Sequence, residues 1–243
     1  MELKAVDLTK KFGPKIALDH VNFKLSGPGI VGYLGPNGAG KTTTLKIFSH
    51  LLRPSSGSAL VNGIDMTKDY QAGLRHVSSL VETPEPYPEF SIKEFLTFIG
   101  SIREINPADL EKRISILKKQ LSLESLDTKC GTLSKGNKQR VVLAAVLLPD
   151  TPILLLDEPT SGLDPAETHD IKRVLKDLGR RKLILMSSHI LQEVKELCRM
   201  AAVVNNGKLL ILDSVRNITL HFGKRKAGVP GLEEAYLKLV RGV

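Results

Sequence analysis

The 243-residue chain has no tryptophan, and aromatic side chains make up only 5% of it. They do not alternate with Lys or Arg as a nucleic-acid stacking surface would require. Cysteine is almost absent. Cys130 and Cys198 stand far apart, with no His/Cys cluster beside them. That excludes a zinc site of the usual spacing and a disulfide framework, and it fits a reducing, cytoplasmic compartment. Long apolar runs are also missing. The longest, residues 141–148, is far short of the roughly 20 residues a membrane helix needs. The opening Met1-Glu2-Leu3-Lys4 is no signal peptide. A soluble chain is therefore expected, with any membrane role exerted through a partner. Basic residues outnumber acidic ones, 35 to 26, for a net charge of +9, yet the largest basic cluster is only Lys224-Arg225-Lys226. This surplus suits a phosphate-bearing ligand, an anionic membrane surface or nucleic acid, but the short basic runs and the lack of interleaved aromatics favour an ordinary solvated basic surface over a nucleic-acid role. No internal repeat or low-complexity segment is present.

Against that background, Gly35-Pro36-Asn37-Gly38-Ala39-Gly40-Lys41-Thr42 stands out. It fits G-x-x-x-x-G-K-[ST], which arises by chance in a chain of this length on the order of one per cent of the time. Residues 30–34 before it read as an apolar strand, and residues 43–52 after it read as a helix. That setting makes the pattern a phosphate-binding loop. A triphosphate needs many donors at close range. Glycines let backbone N–H groups turn inward, and the following helix offers its positive end. Lys41 adds charge for the β- and γ-phosphates, and Thr42 offers a hydroxyl to Mg²⁺. Thr43 adjoins the same loop. The expected ligand is ATP or GTP.

The 42% hydrophobic content suffices for one large core or a core plus a subdomain. Strands are expected near residues 3–8, 22–25, 30–34, 58–61, 76–81, 153–156 and 183–187. A hairpin is expected around Asn206-Gly207, from 201–205 and 208–212. The runs at 153–156 and 183–187 are apolar throughout, as in strands buried on both faces. The middle changes character. Ser91-Ile92-Lys93-Glu94 is a capping-box pattern ahead of a helix, Asn106-Pro107 opens another, and a third starts near Lys135. A mostly helical insertion is thus expected over about 83–148. Asp164-Pro165-Ala166-Glu167 caps a further helix. Residues 216–230 read as a basic, loose connection, and 232–240 as a short terminal helix.

Asp157 and Glu158 end the apolar strand at 153–156. The carboxyl end of a strand beside a phosphate loop is where an α/β sheet binds its ligand. Asp157 is placed to hold Mg²⁺, and Glu158 to orient or deprotonate an attacking water. Leu133-Ser134-Lys135-Gly136-Asn137-Lys138-Gln139-Arg140 opens the third helix, with Ser134 as its cap.

These motifs together resemble the ATP-binding cassette ATPases. The phosphate loop, the segment 133–140, Asp157-Glu158-Pro159-Thr160, Ser161-Gly162-Leu163-Asp164 and His189 stand in that family's order and rough spacing over residues 1–215. The family's L-S-G-G-Q signature reads L-S-K-G-N here and keeps Ser134 and Gly136. The resemblance implies a P-loop NTPase core of RecA type. It adds an antiparallel β subdomain and an inserted helical signature subdomain, with residues 216–243 as an appendage.

Further roles follow from the resemblance. Phe12 would stack on adenine. Ser134 and Gly136 would meet the γ-phosphate of an ATP held by a second subunit. Asp164 would lie in the loop crossing the dimer interface, and His189 would contact γ-phosphate. Glu82 stands where the family usually has Gln, and its carboxylate could reach Mg²⁺ or its water. The implied protein is an ATPase subunit on the cytoplasmic face of a membrane. It would be a homodimer or pair with a related subunit, and drive a transmembrane permease, in the export direction. The other reading open at this point is a non-transport cassette ATPase acting on ribosomes or DNA.

Overall fold

The computed structural model describes residues 1–82, 84–222 and 231–241. Two sheets organise it. The first is antiparallel, in the order β2-β1-β4-β5, from β1 (Glu2–Phe12), β2 (Lys15–Ser26), β4 (Ser56–Val61) and β5 (Ile64–Asp65). The second contains β3 (Gly29–Leu34), β6 (Val77–Leu80), β7 (Ile153–Asp157), β8 (Leu183–Ser188), β9 (Met200–Asn205) and β10 (Lys208–Ser214). Its order is β10-β9-β3-β8-β7-β6, parallel except for the β9–β10 hairpin.

The apolar strands owe their composition to being covered twice. Val31, Tyr33, Ile153, Leu155, Leu183 and Leu185 point into a core shared with the antiparallel sheet and with α1 (Lys41–Phe48). Their neighbours Ile30, Leu34, Leu154, Leu156, Ile184 and Met186 point into a second core on the opposite face. Period-2 alternation divides the side chains between cores rather than between core and water. The second core is closed by helices: α3 (Ile92–Ile102), α4 (Pro107–Gln120) and α5 (Lys135–Leu147), all between β6 and β7, and α6 (Pro165–Leu178) after β7. The caps are those the sequence announces. Ser91 with Glu94 and Asp164 with Glu167 each form a reciprocal capping box, and Asn106 accepts from Ala108 N. Such a cap contributes about 1 kcal/mol.

Several expectations need correction. The helix after the phosphate loop starts at Lys41 and stops at Phe48 rather than running over 43–52. His50 takes φ 57°, and Leu51 and Leu52 N–H both turn back to Lys46 O at 2.8 and 3.1 Å. That closes the helix ahead of Pro54. Strands β1 and β2 are far longer than 3–8 and 22–25. Asp7 and His20, both at φ 50°, sit where the register slips, so the alternation changes phase and conceals the strand's true length. Two short helices, α2 (Tyr70–Leu74) and α7 (Leu191–Leu197), carry no sequence signal strong enough to announce them. The connection expected over 216–230 starts instead as α8 (Val215–Phe222), because Val215 and Ile218 share one helical face and are buried. Its remainder, with Lys224-Arg225-Lys226, lies outside the described residues. α9 (Leu232–Arg241) packs on α8 and is held to β9 by Asn205 Nδ2 donating to Val240 O at 3.0 Å.

Candidate active site

The parallel strands β3, β8 and β7 are adjacent, and their carboxyl ends lie level. Leu34 pairs with Ser188, and Asp157 with Ser187. Three chemically distinct loops therefore leave the sheet side by side, as ligand sites in α/β sheets do.

From β3 the chain enters the phosphate loop and then α1, whose first turn carries no acidic residue. Lys41, only 6% exposed, donates from Nζ to Gly35 O at 2.8 Å and Pro36 O at 3.2 Å. The loop's own carbonyls thus hold its ammonium in place. Burial lowers the Lys41 pKa, against the opposing pull of Glu158 and Asp157. Ala39 is buried, and its carbonyl accepts from Gly207 N at 3.2 Å, which ties the loop to the β9–β10 turn.

From β7, Asp157 accepts from Thr42 Oγ1 at 2.8 Å on one oxygen and from Ser187 Oγ on the other. Glu158 adopts φ 46°, and its N–H donates to Ser187 Oγ at 3.0 Å. From β8 comes His189, half exposed, with Nδ1 3.0 Å from Glu158 Oε1. The sheet therefore brings together Lys41, Thr42, Asp157, Glu158 and His189. Thr42 and Asp157 supply only oxygen donors, the set a hard cation such as Mg²⁺ prefers. No three acidic, His or Cys side chains among the described residues could hold a metal unaided. An ion that takes its remaining ligands from phosphate and water suits that arrangement.

Two clefts flank these residues. One, about 510 Å³, is lined by Phe12, Lys15, Ala17, Asn37, Gly38, Gly40, Lys41, Thr42, Thr43 and Glu158. Phe12 ends β1 and is 48% exposed, with Lys10 Nζ 5.0 Å from its ring centroid. The other, about 360 Å³, is lined by Thr42, Asp157, Glu158, Glu82, Gln139, Lys135 and Lys138 among others. Glu82 lies at φ 67° and is ion-paired with Lys46 of α1, so its carboxylate is already engaged by a cation. Sequence reasoning missed Lys15, Lys46, Ser187 and Gln139. The first two are lone surface-type cations, and Ser187 acts only through Asp157 and Glu158. Gln139 Nε2 donates to Pro159 O at 2.8 Å, so its role is visible only in the folded chain.

Ser134, Gly136 and Asp164 line neither cleft. Ser134 caps α5 by accepting from Asn137 N at 3.2 Å. Gly136 packs so closely on α6 that a Cβ there would fall 1.6 Å from Glu167 Oε1. Asp164 caps α6 by accepting from Glu167 N at 2.8 Å. The residues assigned to the γ-phosphate of a second subunit's ATP thus form their own cluster at the starts of α5 and α6.

A phosphate loop opening a helix, an aspartate bound to the loop threonine and a glutamate–histidine pair on adjacent strand ends define a P-loop nucleoside triphosphatase. The family profile described as ABC transporter matches residues 18–161. An uncharacterised ABC transporter ATP-binding protein of Bacillus subtilis strain 168, YhcH, is 34% identical over 220 residues, covering 89% of this chain and 70% of that protein. The bacitracin transport ATP-binding protein BcrA of Bacillus licheniformis is 35% identical over 211 residues, covering 86% and 68%. A solved structure of an ATP-binding subunit of an ABC transporter superposes with a TM-score of 0.87 at 29% identity, covering 98% of this chain and 99% of that one. The chain belongs to the ABC transporter family, as an ATP-binding, ATP-hydrolysing subunit. Among the described residues no helix is long and apolar enough to cross a membrane.

Proposed function

We propose that this chain hydrolyses ATP as one half of a dimer that closes around two ATP molecules and drives a separate membrane-embedded permease, in the export direction. The observation that carries this reading is the division of the site. Lys41, Thr42, Asp157, Glu158 and His189 share one surface, while Ser134, Gly136 and Asp164 belong to neither of its clefts. A second copy, or a related subunit, would supply the missing half.

In this reading the triphosphate lies along the loop from Gly35 to Thr43, with adenine against Phe12. Lys41 exchanges its two carbonyl partners for phosphate oxygens. Thr42 and Asp157 would hold Mg²⁺, and Glu82 is a further candidate for its water. The ion would neutralise charge developing on the transferred phosphoryl group. Glu158 orients and deprotonates the attacking water, and His189 fixes the Glu158 carboxylate and contacts the γ-phosphate. The partner's γ-phosphate would meet the start of α5, whose first turn carries no acidic residue. Hydrolysis removes a phosphate that both halves grip, so the dimer opens.

The permease would dock near Tyr87. This side chain stands 52% exposed between Pro86 and Pro88 and packs tilted against Phe90 and edge-on against Phe98, at 5.4 and 5.9 Å between ring centroids. Export is favoured because Glu82, the K-G-N-K-Q-R form of the signature and the tail at 232–237 resemble branches of the family dominated by exporters. The tagged chain, isolated from detergent-solubilised membranes, should bring down a membrane-embedded subunit, and Tyr87→Ala should weaken that association. Full ATPase cycling with a soluble-only set of partners would refute the transporter reading.

A further inference from the structure

Glu193 is the one carboxylic acid among the buried polar side chains of the described residues, at 3% exposure. Burying a carboxylate is costly unless its oxygens are bonded. Both are. Oε1 accepts from Thr160 Oγ1 at 2.7 Å, and Oε2 accepts from Ser188 Oγ at 3.0 Å. Thr160 and Ser188 are themselves buried. Lys172 Nζ, from α6, stands 3.9 Å from the same Oε1.

The positions of these partners give the contact its meaning. Thr160 follows Glu158 by two residues on the loop leaving β7. Ser188 ends β8 and immediately precedes His189, and its hydroxyl also accepts from Ile190 N at 3.0 Å. Lys172 lies on the helix that Asp164 caps. One buried carboxylate therefore ties together the two loops that carry Glu158 and His189, with a cation from α6 beside it. A plain helix-capping role does not account for this. Glu193 lies in the first turn of α7, yet the N-cap there makes no side-chain hydrogen bond, and the Glu193 oxygens are spent on hydroxyls of other segments.

We propose that Glu193 is a positioning residue for ATP hydrolysis. By clamping Thr160 and Ser188 it holds the Glu158 carboxylate at hydrogen-bond distance from His189. This rests on the reading of Glu158 and His189 as the hydrolytic pair. The pair is sensitive to such support because Glu158 sits at a positive φ and both side chains are partly exposed. Displacement of a reacting group by about 1 Å can cost on the order of a hundredfold in rate.

The test is Glu193→Gln, whose amide keeps one acceptor oxygen where the carboxylate has two. Turnover is measured per ATP-binding site, so that unfolded protein does not count, alongside KM and equilibrium ATP affinity. We expect kcat to fall at least about tenfold. KM and ATP affinity should stay within about twofold, because the phosphate loop is untouched. Added to Glu158→Gln, the same change should lower the residual turnover no further, since both act on one event. Unchanged kcat, or a loss that multiplies with that of Glu158→Gln, would overturn the proposal. Should Glu193→Gln fail to bind ATP, the paired change Thr160→Val with Ser188→Ala removes the same clamp and faces the same criteria. Turnover intact in Glu158→Gln would sink the hydrolytic-pair reading instead. The wild-type comparison would then judge Glu193 alone.

Discussion

Replacing Gly40 by alanine should destabilise the protein several times more than replacing Gly38, although the two share one loop. Both take positive φ, 103° and 81°, so each substitution carries backbone strain of about 1–2 kcal/mol. The surroundings differ. A Cβ on Gly38 would meet nothing within 4 Å. A Cβ on Gly40 would fall 2.6 Å from Ala17 O and 2.7 Å from Leu18 Cδ2. The leucine tip can rotate away, but the carbonyl belongs to the backbone of β2 and cannot. Overpacking of this kind adds about 1–3 kcal/mol. The expected losses are about 1 kcal/mol for Gly38→Ala and about 3 kcal/mol or more for Gly40→Ala. Urea melts read the difference directly, and ATP titration should show the larger affinity loss at Gly40, which caps α1. Equal losses, or a larger one at Gly38, would refute the argument that packing against β2 shapes the loop.

Two further outcomes are expected. Phe12→Ala should weaken ATP binding by about 1 kcal/mol with little change in stability, because the ring is half exposed and free to stack; unchanged affinity would remove adenine from this ring. Stability should also fall as pH rises from about 9 toward 12. Burial, with Glu193 adding, pushes the Cys198 thiol up to about 12, and burial pushes the Tyr33 phenol up to about 12 against its hydrogen bond with Thr44. The unfolded chain releases these protons earlier, near about pH 8.5 and 10, so the folded state loses ground throughout that window. Urea melts at about pH 8 and 10.5 should show this loss, reduced in Cys198→Ala; a variant with an undiminished loss would contradict it.

What the sequence revealed depended on how local its cause was. The phosphate loop, the two capping boxes, the Asn106 cap and the doubly buried strands were legible because each is set by residues within one short segment. The long hairpin of β1 and β2 was not. Its alternation reverses phase at Asp7 and His20, and only pairing across the sheet shows that the strand continues. Residues 216–222 were misjudged because the basic, glycine-containing stretch that follows, with Lys224-Arg225-Lys226, sets the character of 216–230 as a whole and hides the short apolar face of Val215 and Ile218. At the site, the residue types were readable but their partners were not. The Lys46–Glu82 pair and the Ser187 bonds to Asp157 and Glu158 join segments 29 to 36 positions apart. Glu193 illustrates the same limit. In the sequence it is one acid in an ordinary helical turn, and only burial between Thr160 and Ser188 distinguishes it.

The central claim is that the ATP site is completed by a second chain. Glu158→Gln should bind ATP and turn it over only very slowly, so its mass in solution, measured by light scattering with Mg²⁺ and either ATP or ADP, tests that claim most directly. A dimer with ATP, a monomer with ADP, and loss of the ATP-bound dimer when Gly136→Asp is added are predicted. A protein that stays monomeric at saturating ATP, or a dimer indifferent to Gly136→Asp, would contradict the composite site.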